Sequence, residues 1–255
     1  MSHSISSATI QQLDDALAFL SKTGRGPAPP SPYDAQAWIM SNVHGMMING
    51  LKHIYVTGPT IQPKDYDDFV GYCLIWYSLI DSHHALEEAW YFPTLQPAIP
   101  LSLIEGEHAE FHDSLEAIGK YLVECLPGGT PWGGYKKSVP HDSPNHAFDA
   151  AKLNLLIDVF VPAFTPHFCA EIGYLEPAKL REKLTDDTWK ALDKRIAEEV
   201  PKMPKAFFVY ELLHVRSKYF PPAPWIIKAI LIPWILYWPE RRFWRFAPEK
   251  GSWDD

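Results

Sequence analysis

Cysteine is scarce in this chain. There are three, Cys73, Cys125 and Cys169, with no CxxC spacing among them. An odd, scattered set fits a reducing compartment better than a disulfide framework. Basic charge is also short: 23 Lys and Arg stand against 31 Asp and Glu, a net charge of −8. That balance excludes a large basic nucleic-acid surface, so no nucleic-acid partner is expected. No run alternates convincingly with period two, so strands are not expected. The start, MSHSISSATIQQLDD, lacks a basic segment followed by an apolar run. No signal peptide is expected there, and the cytoplasm is the expected location. Long uninterrupted apolar runs are missing as well. The nearest, from Ala223 to Pro239, is short for a membrane span and is broken by Lys228 and Pro233.

What is present is helical pattern. With 255 residues, 47% of them hydrophobic, the chain suffices for one good core, or one core with an appendage. Residues 9–22 suggest a short amphipathic helix, with Ile10, Leu13, Leu17 and Leu20 on one side. Ser31, Pro32 and Asp34 form a helix start, opening a helix A over about 32–56. Asp65 can cap a helix B over about 66–91, which FPTLQPAIP ends. Ser102 and Glu105 have capping-box spacing before a helix C over about 103–125. Ser143 and Pro144 open a helix D running to about 175, kinked or broken at Pro162 and Pro166. Two further helices are expected over about 185–200 and 204–218. The expected fold is therefore all-α: an antiparallel four-helix bundle with additional C-terminal helices. The expected division is an N-terminal segment (1–30), a bundle (31–177) and an aromatic, proline-rich extension (178–255). The C–D connection, LPGGTPWGGYKKSVPHDSP, is long and rich in Gly and Pro.

Two segments repeat one spacing. HHALEEAWYFP begins at His83 and HFCAEIGYLEP at His167. In each, a glutamate follows the histidine by four residues and a proline by ten. The core stripes carry the same residue types. Helix A reads Met40, His44, Met47, Leu51, and helix B reads Trp76, Ile80, His83, Glu87, Trp90. Helix C reads His108, His112, Leu115, Gly119, Leu122, and helix D reads Phe160, His167, Glu171, Tyr174. Spacings near three and four place these polar groups on the faces turned to the core.

A single buried histidine is usually a hydrogen-bonded core residue. Five histidines and two glutamates on four facing stripes are accounted for together by metal coordination. Seven ligands exceed one ion, so two are inferred. If both were six-coordinate, five imidazoles, two bridging carboxylates and a bridging oxo or hydroxo group would leave one position open, a place for O2.

At these residues the chain resembles the hemerythrin-like family, in the branch named for its His-His-Glu cation-binding motif. The match covers about 32–177: a His on helix A, HxxxE on helix B, HxxxH on helix C and a second HxxxE on helix D. The resemblance implies a non-heme di-iron centre. His108, His112 and His167 would hold one iron, His44 and His83 the other, with Glu87 and Glu171 bridging. The oxygen-carrying hemerythrins have an Asp five residues after the helix D histidine; here that position is Ile172. The aromatic tail is similar to those of some fungal-type homologues.

Other groupings explain less. His84 and Glu88 give an alternative register on helix B and are expected in supporting or surface roles. Glu105/His108 and Glu211/His214 have ferritin-like ExxH spacing but would strand four core histidines. His108–His112 lacks the Glu that a zincin places after its first His. His3, His53, His141, His146 and His214 are expected on the surface or in loops. The expected function is O2 binding and activation toward a small organic substrate, an oxygen-dependent oxidoreductase. The alternative is a non-enzymatic sensor, store or scavenger of O2 or iron. The C–D loop would be a lid. The tail would pack over the bundle or a partner protein, or touch a membrane weakly through Trp225, Ile226, Ile230, Trp234 and Trp238.

Overall fold

A computed structural model describes residues 5–132, 137–249 and 251–254. His3 and the centre of the C–D loop, 133–136, lie outside the described residues. The fold is all-α. The helices are α1 (Ser7–Gly24), α2 (Pro32–Thr57), α3 (Tyr66–Leu86), α4 (Phe92–Leu95), α5 (Leu101–Glu124), α6 (Ala150–Tyr174), α7 (Pro177–Lys183), α8 (Asp186–Glu199), α9 (Lys205–His214) and α10 (Arg241–Trp244). A π-helical turn, Glu87–Tyr91, joins α3 to α4, and a second π-helical segment spans Ile227–Leu236. Among the described residues, strand is confined to a ladder of Pro131–Trp132 with Lys137–Ser138.

The long helices lie where their patterns put them, and the differences are at the ends. Ser31 precedes α2 without a side-chain cap bond, and Pro32 occupies the first turn. Asp65 does not cap α3; its carboxylate meets Arg245 at 2.9 Å instead. The Ser102–Glu105 capping box does not form, because α5 already starts at Leu101 after Pro100. Helix D starts at Ala150 rather than at Ser143, capped by Asp149 on the amides of Ala151 and Lys152. It continues through Pro162 and Pro166 to Tyr174.

Helix α5 packs on α3 and α6, α2 on α3 and α6, and α1 on α2 and α6. Their buried faces share one apolar core with Trp76, Phe111, Phe160, Phe164 and Phe168. The C-terminal segment joins that core. Helix α9 packs on α2 and α3, and α10 on α3. A Cβ at Gly50 would overlap the Tyr210 hydroxyl, and one at Gly45 would overlap the Trp253 ring. Glycine is therefore required at both places for close approach. Helix α6 is long and apolar enough to cross a membrane, but half of its apolar window is buried inside the protein.

The described parts of the C–D loop, which include the paired Pro131–Trp132 and Lys137–Ser138, lie beside the middle of α3 and α5. Trp132 meets Tyr77 at 6.2 Å, and the loop closes a groove of about 670 Å3 that includes Gly119 and Val123. Gly119 lies about 16 Å along α5 from His108. The described parts of the loop thus lie away from the histidine cluster, along the α5 surface near Gly119 and Val123.

Candidate metal centre

Helix α3 and its π-turn bring three polar side chains inward: His83, His84 and Glu87. The buried row on α3 runs Cys73, Trp76, Ile80, His84, Glu87, and His83 stands one residue to its side. Helix α5 contributes His108 from a buried row of Ile104, His108, Phe111, Leu115, Ile118 and Leu122. Helix α6 contributes His167 and Glu171, and α2 contributes His44. Two groups result: His84, His108 and His167; and His44, His83, Glu87 and Glu171. Within each group the ligand atoms lie within 4.8 Å of one another.

Six of the seven expected ligands converge. The exception is His112, whose side chain is 63% exposed beside Asp113 and Glu116. The inward row of α5 alternates steps of four and three, and Phe111 takes the place that continues it. His112 therefore turns outward by about one residue's rotation. Its place is filled by His84, which is 7% exposed. The set keeps five imidazoles and two carboxylates with one member exchanged.

The carboxylates straddle the two groups. Glu87 Oε1 lies 3.0 Å from His83 Nε2, and its Oε2 lies 3.9 Å from His108 Nε2. Glu171 Oε2 lies 3.2 Å from His44 Nε2. Its Oε1 lies 3.8 Å from His108 Nε2 and 3.5 Å from His167 Nε2.

The hydrogen bonds around the site determine which atoms are left. His44 Nδ1 is 3.0 Å from the Phe168 carbonyl, which can only accept, so this nitrogen carries the proton. His108 Nδ1 donates to Glu88 at 2.6 Å, and His167 Nδ1 to Glu107 at 2.9 Å. Tyr174 donates to the other oxygen of Glu107 at 2.5 Å. Where such a ring is neutral, its Nε2 holds a lone pair; at His108 burial lowers the pKa but the Glu171, Glu88 and Glu87 carboxylates outweigh it and raise the pKa. His44 Nε2 and His83 Nε2 stand 3.1 Å apart. His108 Nε2, His167 Nε2, both ring nitrogens of His84 and all four oxygens of Glu87 and Glu171 are buried without a hydrogen-bond partner. Orphaned acceptors in such number are costly unless a cation meets them. The donor set fits a metal pair.

Burial lowers the His83 pKa to about 4 and carries His84 well below the usual imidazole range, with the His83, His108 and His167 charges adding to the effect. Both are neutral near pH 7, the form a metal requires. Burial pushes Glu87 well up, and the nearby Glu171 adds to this. Burial lowers His167 too, against the opposing pull of Glu171 and Glu107.

Several supporting groups escaped the sequence reading. Glu107 and Tyr174 orient His167, and the Phe168 carbonyl orients His44. Glu88, half exposed, takes the supporting role expected for it. Glu107 has a legible signal only in retrospect: it precedes a core histidine and stands within reach of helix D. His214 was expected at the surface, yet it is fully buried at the end of α9. His53 is half-buried, whereas His141 and His146 are exposed. Cys169 takes no part in either group, and burial raises its thiol to about 11.

No family model matches the chain, and no solved structure matches it. It is similar to the dimeric xanthone biosynthesis cluster protein R11 of Cryptosporiopsis sp. (strain 8999), 25% identical over 225 residues. The similarity covers 82% of this chain and 76% of that protein. It is thus longer than the 31–177 segment and takes in flanking sequence.

Proposed function

We propose that α2, α3, α5 and α6 form an antiparallel four-helix bundle of hemerythrin-like type that holds two iron ions. The protein binds and activates O2, as an oxygen-dependent oxidoreductase acting on a small organic substrate. One observation carries this: five imidazoles and two carboxylates converge, with the outer nitrogens of His44, His108 and His167 held by protein groups and the nitrogens of His84, the Nε2 atoms of His108 and His167 and the carboxylate oxygens left bare. Mixed imidazole and carboxylate donors suit iron. A bound iron pair supplies redox chemistry toward O2.

The chain's own residues do the rest. His84, His108 and His167 form one binding group, and His44 and His83 the other. Glu87 and Glu171 each offer one oxygen to each group, the geometry a bridging carboxylate needs. Glu88, Glu107 and the Phe168 carbonyl hold the Nδ1 protons and so fix the rings. Phe111, Phe164 and Phe168 keep bulk water out. His83, with a side chain 13% exposed against 6% or less for His44, Glu87, His108, His167 and Glu171, is the edge at which a substrate approaches. Five imidazoles and two carboxylates would not fill the coordination positions of such a pair, which would leave room for O2. The relative is named for a biosynthesis cluster, which supports a role in small-molecule biosynthesis. The near-complete burial of the ligands supports a second reading, reversible binding of O2 or iron as a sensor, store or scavenger.

The test is metal analysis joined to an anaerobic-to-aerobic optical titration. The expected result is two irons per chain and a new absorption band on admitting air. Irreversible decay of that band supports the oxidoreductase, and reversal under vacuum supports the binder. A chain holding no iron, or a single zinc, overturns the proposal. Glu171→Ala is expected to hold one ion or none, and retention of two would remove its bridging role.

A further inference from the structure

The C-terminal segment from Trp225 to Trp238 has one face on the protein and one face bare. Ile232 is buried, and Ile227, Leu236 and Tyr237 pack against the core with α9 beneath. On the other face Ile226, Ile230, Trp234 and Trp238 repeat every four residues, with Leu231 and Ile235 alongside and Trp225 at the start. All seven are exposed, Trp225 and Trp234 by 68% and Ile235 by 58%. A monomeric surface rarely leaves so many large apolar groups together without a use.

The composition and surroundings of this face select an occupant. No Asp or Glu occurs from Leu212 to Pro239, in a chain whose net charge is −8. Beside Trp225 lies a groove of about 620 Å3 lined by Arg216, Lys218 and Lys228, with the Asp254 carboxylate at its edge, accepting from Ser217 Oγ and the Lys218 amide. At the other end Arg241 sits over the Trp238 ring, its guanidinium carbon 5.6 Å from the centroid. Between Trp234 and Trp238 and α9 an apolar cavity of about 330 Å3 opens, lined by Val209, Leu212, Leu213 and Ile232. Tryptophans at both ends, aliphatic side chains between them and cations at the margins match the layering of a bilayer interface. The fourteen residues of Trp225–Trp238 reach at most about 21 Å as a helix, short of the ~30 Å hydrocarbon core, so the segment lies in the membrane plane.

We propose that this face docks the protein on a bilayer containing anionic phospholipid. The apolar rows enter the headgroup–acyl boundary, and Arg216, Lys218 and Lys228 receive the lipid phosphates. A second copy of the chain would bury the apolar rows equally well, but an anionic lipid surface meets both those rows and the three cations, Arg216, Lys218 and Lys228, that border them.

Flotation of the full chain with vesicles tests this. Phosphatidylcholine vesicles with phosphatidylserine are expected to carry up about tenfold more protein than phosphatidylcholine alone, with high salt removing the difference. Trp225→Ala, Trp234→Ala and Trp238→Ala together are expected to abolish flotation while helical content stays unchanged. Lys218→Glu with Lys228→Glu is expected to remove the preference for phosphatidylserine. Failure of the native chain to float, equal flotation on the two vesicle types, or undiminished flotation of the tryptophan variant each overturns the proposal. A dimer that the tryptophan variant converts to monomer, without vesicle binding, assigns the face to a second copy instead. None of these readouts depends on metal.

Discussion

Among the described residues, two places bury histidine, and they are chemically opposite. At the end of α9, His214 donates from Nδ1 to the Tyr210 carbonyl at 2.7 Å and meets the Tyr72 hydroxyl through Nε2 at 2.6 Å. Its ring stacks on Tyr210 at 3.6 Å, and neither nitrogen is left over. At the other place His108 and His167 are equally secured through Nδ1, but their Nε2 atoms face bare carboxylate oxygens. Burial of a histidine thus says little by itself. What separates a packing residue from a ligand is whether its second nitrogen has a protein partner.

The sharpest way to break this contrast is to exchange the two histidines that sequence and structure rank differently. His84→Ala is expected to reduce metal content from two ions to one or none, whereas His112→Ala is expected to leave it at two. Metal analysis of the two variants, with circular dichroism as the check on folding, decides it. Loss of metal on removing His112 would mean that α5 rotates when metal binds, and would return His112 to the set.

The helices and most of the site were legible in the sequence because periodicity reports burial directly. His44, His83, His108, His167, Glu87 and Glu171 stand on buried faces as their spacing requires. His112 failed because four-residue spacing from His108 is compatible with two adjacent rows. The steps of four and three through Phe111 and Ile118 identify the buried one. His83 rather than His84 shares the helix D spacing to a proline ten residues on, which favours the His83 register and places His84 in a supporting or surface role. Neighbouring residues on a helix point about 100° apart, and a site with two metal groups can use both. Glu107 and Tyr174 were illegible for another reason. They act on a ligand in a different helix, and pairings between helices leave no spacing in one sequence. The C-terminal segment was illegible as packing, since Gly50 and Gly45 do not announce that Tyr210 and Trp253 lie against them.

The satisfied histidine has its own signature, in pH. Burial lowers the His214 pKa to about 3, although its bond to the Tyr210 carbonyl opposes this. The unfolded chain takes a proton at this position near pH 6.5. Between about pH 6.5 and pH 3 the unfolded state therefore binds more protons, and stability falls as pH falls. The contribution is complete above pH 6.5 and amounts to roughly 5 kcal/mol over that window as an upper figure. His214→Asn is expected to flatten the acid side of the stability–pH curve, read by denaturant titration of metal-free protein. An unchanged slope would mean that His214 is charged in the fold.

A smaller effect is expected at the contact that seats α9. Gly50→Ala drives a methyl into the Tyr210 hydroxyl and is expected to cost about 2–3 kcal/mol, by the same titration, without changing metal stoichiometry. A loss of metal in this variant would show that the two buried-histidine regions are coupled through α2, which carries both Gly50 and His44.

The smallest expected effect lies at the outer edge of the candidate metal centre. Tyr174→Phe removes the hydroxyl that Glu107 accepts but leaves the carboxylate on His167 Nδ1. Glu107→Ala removes that orientation altogether and is expected to weaken one metal site by about 10–100-fold. Tyr174→Phe is expected to weaken it by a few-fold, since it takes away one hydrogen bond, worth about 1 kcal/mol, at one remove from the ligand. Competition with a chelator measures both. If the two variants weaken binding equally, Glu107 orients His167 only while Tyr174 holds it. If neither changes affinity, the rings are set by packing against Phe111 and Phe168 alone, and the difference from His214 lies in the bare nitrogens rather than in the secured ones.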